Sequence, residues 1–292
     1  MNDTLCGKIN LLRKYLPDNS DDPTILDFYD NKDFLEYCPQ KNCNSELEQI
    51  TIGFLWLLGE CYSTLTGRDY NENNTNAFFI YIISWLSYKL NQNKGDKFAT
   101  IDNFFTEYVK KSGKYERFIN DAFKFGNLDE FIEKHKDLLN IDIKDLSKFY
   151  DASKLICNMY GNIAQNQKGE TLSNDAISFV QKYIDINNKY NYEGSPNRQI
   201  LSALSTDYNN INKECRNCPS ISEITELSAL ASGYASSSSS IGKRLFTVLS
   251  IFGAIAFFLG ISYKYSLFGF RKRVQKQKLR EKLKNIKKRM NN

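Results

Sequence analysis

Histidine is almost absent from this chain: one residue in 292, His135. Its setting, Glu133-Lys134-His135-Lys136, reads as a solvated helix face rather than as the seat of a base. Enzyme sites need a titratable pair or an activated nucleophile. The sequence offers no Gly-rich phosphate loop, no His-Glu-x-x-His zinc motif and no nucleophile elbow. Carboxylates such as Asp129, Glu130 and Glu133 read as surface or first-turn charges. No catalytic residue, no cofactor and no enzymatic activity is therefore expected. Strand-like alternation bounded by turn residues is also scarce, which argues against a β-sheet protein.

A basic globular face is missing as well. The formal net charge of +5 averages two unlike parts. Residues 264–292 hold twelve Lys or Arg against one acid, Glu281, whereas residues 1–242 hold 25 basic and 33 acidic side chains, a formal charge of −8. Phosphate contacts need clustered cations on the folded domain, so nucleic acid is not an expected partner.

Seven cysteines are too few for a scaffold held by disulfides alone, yet they are unevenly grouped. Cys6, Cys38, Cys43 and Cys61 come early, Cys157 stands alone, and Cys215 and Cys218 come late. In an oxidising compartment three disulfides and one thiol are the natural count, in a connectivity the spacing leaves open. The alternative is zinc, but Cys215-Arg216-Asn217-Cys218 has no second pair at zinc-site spacing. A metal site is not expected. No βαβ pattern surrounds the pair to support redox chemistry.

Helical periodicity dominates what is present, and the expected class is all-α. In residues 44–65, Leu47, Ile50, Phe54, Leu57 or Leu58, Cys61 and Leu65 recur three or four apart. Ile52, Leu55 and Trp56 widen that stripe until the helix is apolar nearly all round, as a central core helix would be. A second such helix is predicted over 75–91, with Phe79, Ile82, Ile83, Trp85, Leu86 and Leu90 inward, joined to the first by a polar connection suited to an antiparallel hairpin. Further helices are predicted over 100–111, 115–125, 127–139, 143–165, 172–191 and 196–213. Asn127 with Glu130, and Ser220 with Glu223, have the spacing of reciprocal N-terminal caps. Pro196 suits a first helical turn, where its missing N–H costs nothing.

Residues 245–263, LFTVLSIFGAIAFFLGISY, run without a charge. At about 1.5 Å per residue they span roughly 28 Å, close to the thickness of a bilayer's hydrocarbon core. Lys243, Arg244 and Lys264 flank the run and can reach the headgroups. Cations within about 20 residues are far denser on the C-terminal side, which predicts a cytoplasmic tail and an N-terminal domain outside. Residues 1–19 contain no apolar stretch of the signal-peptide kind, so the opposite orientation stays an alternative on these grounds. Before the span, 232–242 is Ser-rich and reads as a stalk. The tail places Val274, Leu279, Leu283 and Ile286 at helical spacings among cations, as a helix against anionic lipid would, or it is a solvated charged segment. The expected organisation is a helical ectodomain at 1–231, a stalk at 232–242, a transmembrane helix with its flanks at 243–264 and a basic tail at 265–292. Asn2-Asp3-Thr4 and Asn73-Asn74-Thr75 match the glycosylation pattern without deciding anything.

Over nearly its whole length the chain resembles the PIR proteins of malaria parasites, the variant multigene family whose rodent-parasite members are called Cir, Yir and Bir. The resemblance rests on Cys6, on Cys38-Pro39 with Cys43, and on Gly53-Phe54-Leu55-Trp56-Leu57-Leu58. Its most specific stretch is Trp85-Leu86-Ser87-Tyr88-Lys89-Leu90. Leu201-Ser202-Ala203-Leu204-Ser205, Asp207-Tyr208-Asn209-Asn210, Cys215, the late span and the basic tail complete it. It implies a helical ectodomain exported by the parasite and displayed at or near the infected red cell, with host surface or serum proteins and antibodies as partners. Members of that family commonly lack a conventional N-terminal signal and still leave the parasite. No catalytic or ligand-binding residue carries over. The rival reading is an organiser of parasite-derived membranes that acts through the basic tail.

Overall fold

In the computed structural model the chain divides into two units, Met1–Thr225 and Glu226–Asn292. The structure describes residues 1–19, 25–65, 72–93, 95, 97–125, 128–167, 169–215 and 218–221, all in the first unit. The stalk, the 245–263 span and the basic tail lie outside the described residues. Among the described residues no helix is long and apolar enough to cross a membrane, and the only β-type pairing is an isolated bridge between Thr100 and Asp142.

The long helices form where the apolar stripes predict them. Helix α3, Glu46–Leu65, is buried without a break from Ile50 to Leu58. Its start is set by a reciprocal cap: Glu48 N–H donates to Ser45 Oγ and Ser45 N–H donates to the Glu48 carboxylate, both at 3.2 Å. Helix α4, Glu72–Gln92, occupies the centre of the unit. Its Phe78, Phe79, Ile82, Ile83, Trp85 and Leu86 are fully buried, each stabilising the fold by about 1.5–3 kcal/mol relative to an exposed position. Around α4 pack α3, α1 (Asp3–Tyr15), α10 (Tyr150–Ala164) and α12 (Asn197–Asn212), with α11 (Glu170–Tyr190) laid along α10. Gly53 lets α3 come close, since a Cβ there would meet Leu12 Cδ1 at 2.9 Å, Leu16 Cδ1 at 3.0 Å and the Trp85 ring at 3.1 Å.

Two N-terminal helices were not anticipated. Helix α1 begins at Asn2, whose side chain accepts Leu5 N–H at 2.9 Å, and buries Leu5, Cys6, Ile9 and Leu12. Helix α2, Lys32–Tyr37, is capped by Asn31 and carries the buried Phe34 between Phe28 and Trp56.

Three of the other predicted helices are broken. The 100–111 segment starts at the Thr100 cap as one turn, α5 (Ile101–Asn103), then widens into a π-helix, Phe104–Lys110. Helix α6 is Glu116–Phe125. The 127–139 segment splits at His135 into α7, Leu128–Lys134, and α8, Lys136–Leu139. The 143–165 segment becomes α9, Ile143–Leu146, a 3₁₀ turn, Ser147–Phe149, and then α10. Pro196 stands immediately before α12 with φ −63°. Of the predicted caps, Asn127 and Glu223 lie outside the described residues.

Candidate functional site

The cysteines distribute into three pairs and one buried thiol. Cys6 on α1 joins Cys157 on α10, Cys38 joins Cys43 in the turn between α2 and α3, and Cys215 joins Cys218 just past α12. Cys61 stays outside the disulfides, on α3, with its Sγ 3.9 Å from the Thr75 carbonyl oxygen. Burial pushes that thiol up to about 12, so the reactive thiolate form is disfavoured at neutral pH. Among the described residues no three His, Cys, Asp or Glu side chains gather as metal ligands would.

His135 corrects the sequence reading. It is not on a solvated face: it is 8% exposed, its ring 4.6 Å from Phe79 and 4.4 Å from Phe131. Nδ1 lies 2.9 Å from the Phe131 carbonyl oxygen, the acceptor that the His135 amide would use in a continuous α-helix, and the amide donates to Ile132 instead. The side chain takes the backbone's partner, and the helix breaks there. Asp129, Glu130 and Glu133 are exposed, as expected; Asp129 pairs with Lys110 and Glu133 with Lys136.

Two polar clusters hold the helices together, and neither was read from the sequence. Just past α1, Asp18 accepts the Tyr150 hydroxyl at 2.5 Å, Lys154 Nζ at 3.0 Å and Arg13 Nη2 at 3.3 Å. Burial pulls the Asp18 carboxyl up, but the Tyr150 hydrogen bond and the Arg13 and Lys154 charges outweigh it and bring it below the ordinary carboxylate range. Beside it, Lys89 donates to the Pro17 carbonyl oxygen. In the second cluster, Asp207 on α12 accepts the Met1 ammonium at 2.6 Å and the Tyr160 hydroxyl at 3.4 Å, while Asn74 accepts the ammonium at 3.0 Å. Burial raises the Asp207 carboxyl despite these partners. Its signal in sequence is a carboxylate on the inward stripe of Ile200, Leu204, Tyr208 and Ile211.

Two open grooves flank these clusters. The larger, about 850 Å³, runs between the first turns of α4, the α7–α8 break and α12. Its floor is Ala77, Ile80, Leu138 and Ala203; its walls are amides and hydroxyls, with Lys134 and Arg198 as cations. Among the described residues its one lining carboxylate, Asp207, is the one held by the Met1 ammonium. The smaller, about 420 Å³, lies among α4, α10 and α11, where Lys148, Lys182 and Lys189 face Asp151 and Asp185. Its charges largely cancel, and Lys182 is paired with Asp151 at 2.9 Å.

Comparison with known proteins places this architecture. The family model described as Plasmodium variant antigen protein Cir/Yir/Bir matches residues 6–264. The chain is similar in fold to a solved structure of a Plasmodium PIR protein ectodomain, with TM-score 0.55 and 25% identity over 74% of this chain and 97% of that one. No curated protein matches. The family match runs from Cys6, the α1 half of the disulfide to α10, through all the described helices. This helical, cysteine-paired chain belongs to the Plasmodium Cir/Yir/Bir variant antigen family.

Proposed function

We propose that the protein is an exported variant surface antigen of infected red cells, working in host interaction or immune evasion through its helical ectodomain. The observation that carries this reading is the likeness in fold to a PIR ectodomain, 97% of which is covered by 74% of this chain, together with the family match over residues 6–264. Residues beyond it continue into a Ser-rich segment, a 19-residue uncharged run and a basic end. In this reading 232–242 is a stalk, 243–264 holds the single membrane span and 265–292 is the cytoplasmic tail. The ectodomain faces an oxidising compartment, consistent with the paired cysteines, and meets host surface or serum proteins and antibodies. The grooves supply recognition surface, and the chain performs no covalent chemistry.

The test is proteolysis of intact infected red cells, probed separately for the ectodomain and for the tail. Loss of the ectodomain with a protected tail is the expected result. Full protection of both overturns surface display and favours an organiser of parasite-derived membranes, which would then lose its activity on deletion of residues 271–292.

A further inference from the structure

The folded unit is acidic, with a formal charge of −7 over residues 1–225, yet its larger groove is not. Of the charged side chains lining it, Asp207 already holds the Met1 ammonium at 2.6 Å. The cationic side chains that line it are Arg198 and Lys134. Arg198, exposed in the first turn of α12, forms no ion pair among the described residues, and Lys134 lies at the α7–α8 break on the same groove. A guanidinium outside any ion pair presents a planar fork of donors suited to a carboxylate or sulfate. The first turn of a helix adds to that preference for negative charge.

The rest of the lining narrows the ligand class. Asn76, Gln199, Ser202, Thr206 and Asn210 offer donors and acceptors along the walls, while the floor is a strip of small or aliphatic side chains. Among the described residues no aromatic ring other than His135 lines the groove, and that ring is already packed between Phe79 and Phe131. A partner helix would need a continuous apolar face to dock on, and an added strand would need a sheet edge; this groove has neither. A chain of hydroxyls carrying an anionic group fits amide and hydroxyl walls with a cation at one end. The volume of about 850 Å³ lies within the usual range for ligand sites, about 300–1,000 Å³.

We infer that the groove between α4, the α7–α8 break and α12 binds an anionic saccharide, with Arg198 holding the carboxylate or sulfate and the neighbouring amides holding hydroxyls. The inference rests on the ectodomain facing outward, as proposed above, and gives that domain a ligand class.

The experiment uses the full-length chain in detergent micelles. Its probes are sialyllactose as a carboxylated sugar, a heparin tetrasaccharide as a sulfated one, and lactose as the neutral control. Binding of one or both anionic probes and not of lactose is expected, and which of the two binds identifies the anion. Arg198→Glu should weaken binding by about tenfold or more, while Arg198→Lys retains part of it. Lys32→Glu, exposed on α2 and lining neither groove, should change affinity by less than about twofold. Arg198 is exposed, so its variants should keep the wild-type melting curve, which is to be verified alongside. The basic tail is intact in every variant, so any binding it contributes does not follow Arg198. Failure of the wild type to bind either anionic probe overturns the inference, as does binding indifferent to Arg198→Glu. Equal, Arg198-dependent capture of a poly-glutamate peptide overturns the saccharide assignment in favour of an acidic protein. None of these outcomes alters the proteolysis result, so surface display and saccharide binding fail separately.

Discussion

The Tyr150 hydroxyl donates to the Asp18 carboxylate at 2.5 Å across 132 residues of sequence. That bond, with Arg13 and Lys154 on the same acid, fixes the end of α1 against α10. Asp18→Asn leaves the partly buried Arg13 without its acid and Lys154 with Asp151 alone, and should cost about 1–3 kcal/mol at neutral pH. The native Asp18 carboxyl is depressed, so its contribution is present above the unfolded carboxylate pKa and is lost as pH falls through the native one. Urea melts of wild type and variant across acid pH should therefore converge. A gap that stays constant down to the lowest pH would contradict the role assigned to this carboxylate.

The Cys6–Cys157 disulfide closes a separation of 151 residues, and Cys215–Cys218 one of 3. In the chain-entropy account the first stabilises by about 5 kcal/mol and the second by less than about 2. Replacing both members of each pair by Ser should separate the two melting midpoints in that order. Native alkylation followed by peptide mapping should leave Cys61 unmodified, since its thiol is buried and pushed up to about 12.

Two glycines of α3 should respond in opposite senses. At Gly53 a valine meets Leu12, Leu16 and Trp85 within 3.1 Å, and overpacking of this kind costs about 1–3 kcal/mol. At Gly59 an added Cβ finds its nearest neighbour, the Tyr37 hydroxyl, at 3.5 Å. Gly59→Ala should then gain up to about 1 kcal/mol of helix propensity. Thermal melts of the two variants check the pair.

His135→Ala removes a ring packed between Phe79 and Phe131 and should cost about 2–4 kcal/mol. A solvated histidine would register within about 0.5 kcal/mol. Chemical denaturation distinguishes the two readings of this residue.

The pattern of success and error in the sequence reading has a physical source. Helices α3, α4, α10, α11 and α12 are legible because each carries an apolar stripe over several turns, and long stripes outweigh local detail. The break at His135 is not legible, because it depends on a side chain finding Phe79 on another helix. Helix α1 is not legible for a different reason: its stripe of Leu5, Ile9 and Leu12 is thin, and much of its anchorage is the covalent bond of Cys6 to a partner far along the chain. The grouping of the cysteines was visible but not their pairing, which only the packing of α1 on α10 decides. Asp207 was visible as an acid within an apolar stripe; Asp18, in an irregular segment, gave no such sign.

The way the chain leaves the folded unit has a mechanical consequence. The Tyr208 hydroxyl holds the Pro219 carbonyl oxygen at 2.5 Å, and the Tyr208 ring lies flat on Phe179 of α11, centroids 4.7 Å apart. With Cys215 and Cys218 closed into a covalent ring, the exit segment has little slack to pay out. A pull from beyond residue 219 reaches Tyr208, in the body of α12, before the helix end can be peeled away turn by turn. The load is then shared by α11 and α12 as a shear between packed helices, so a domain held at this end should deform last where it is attached.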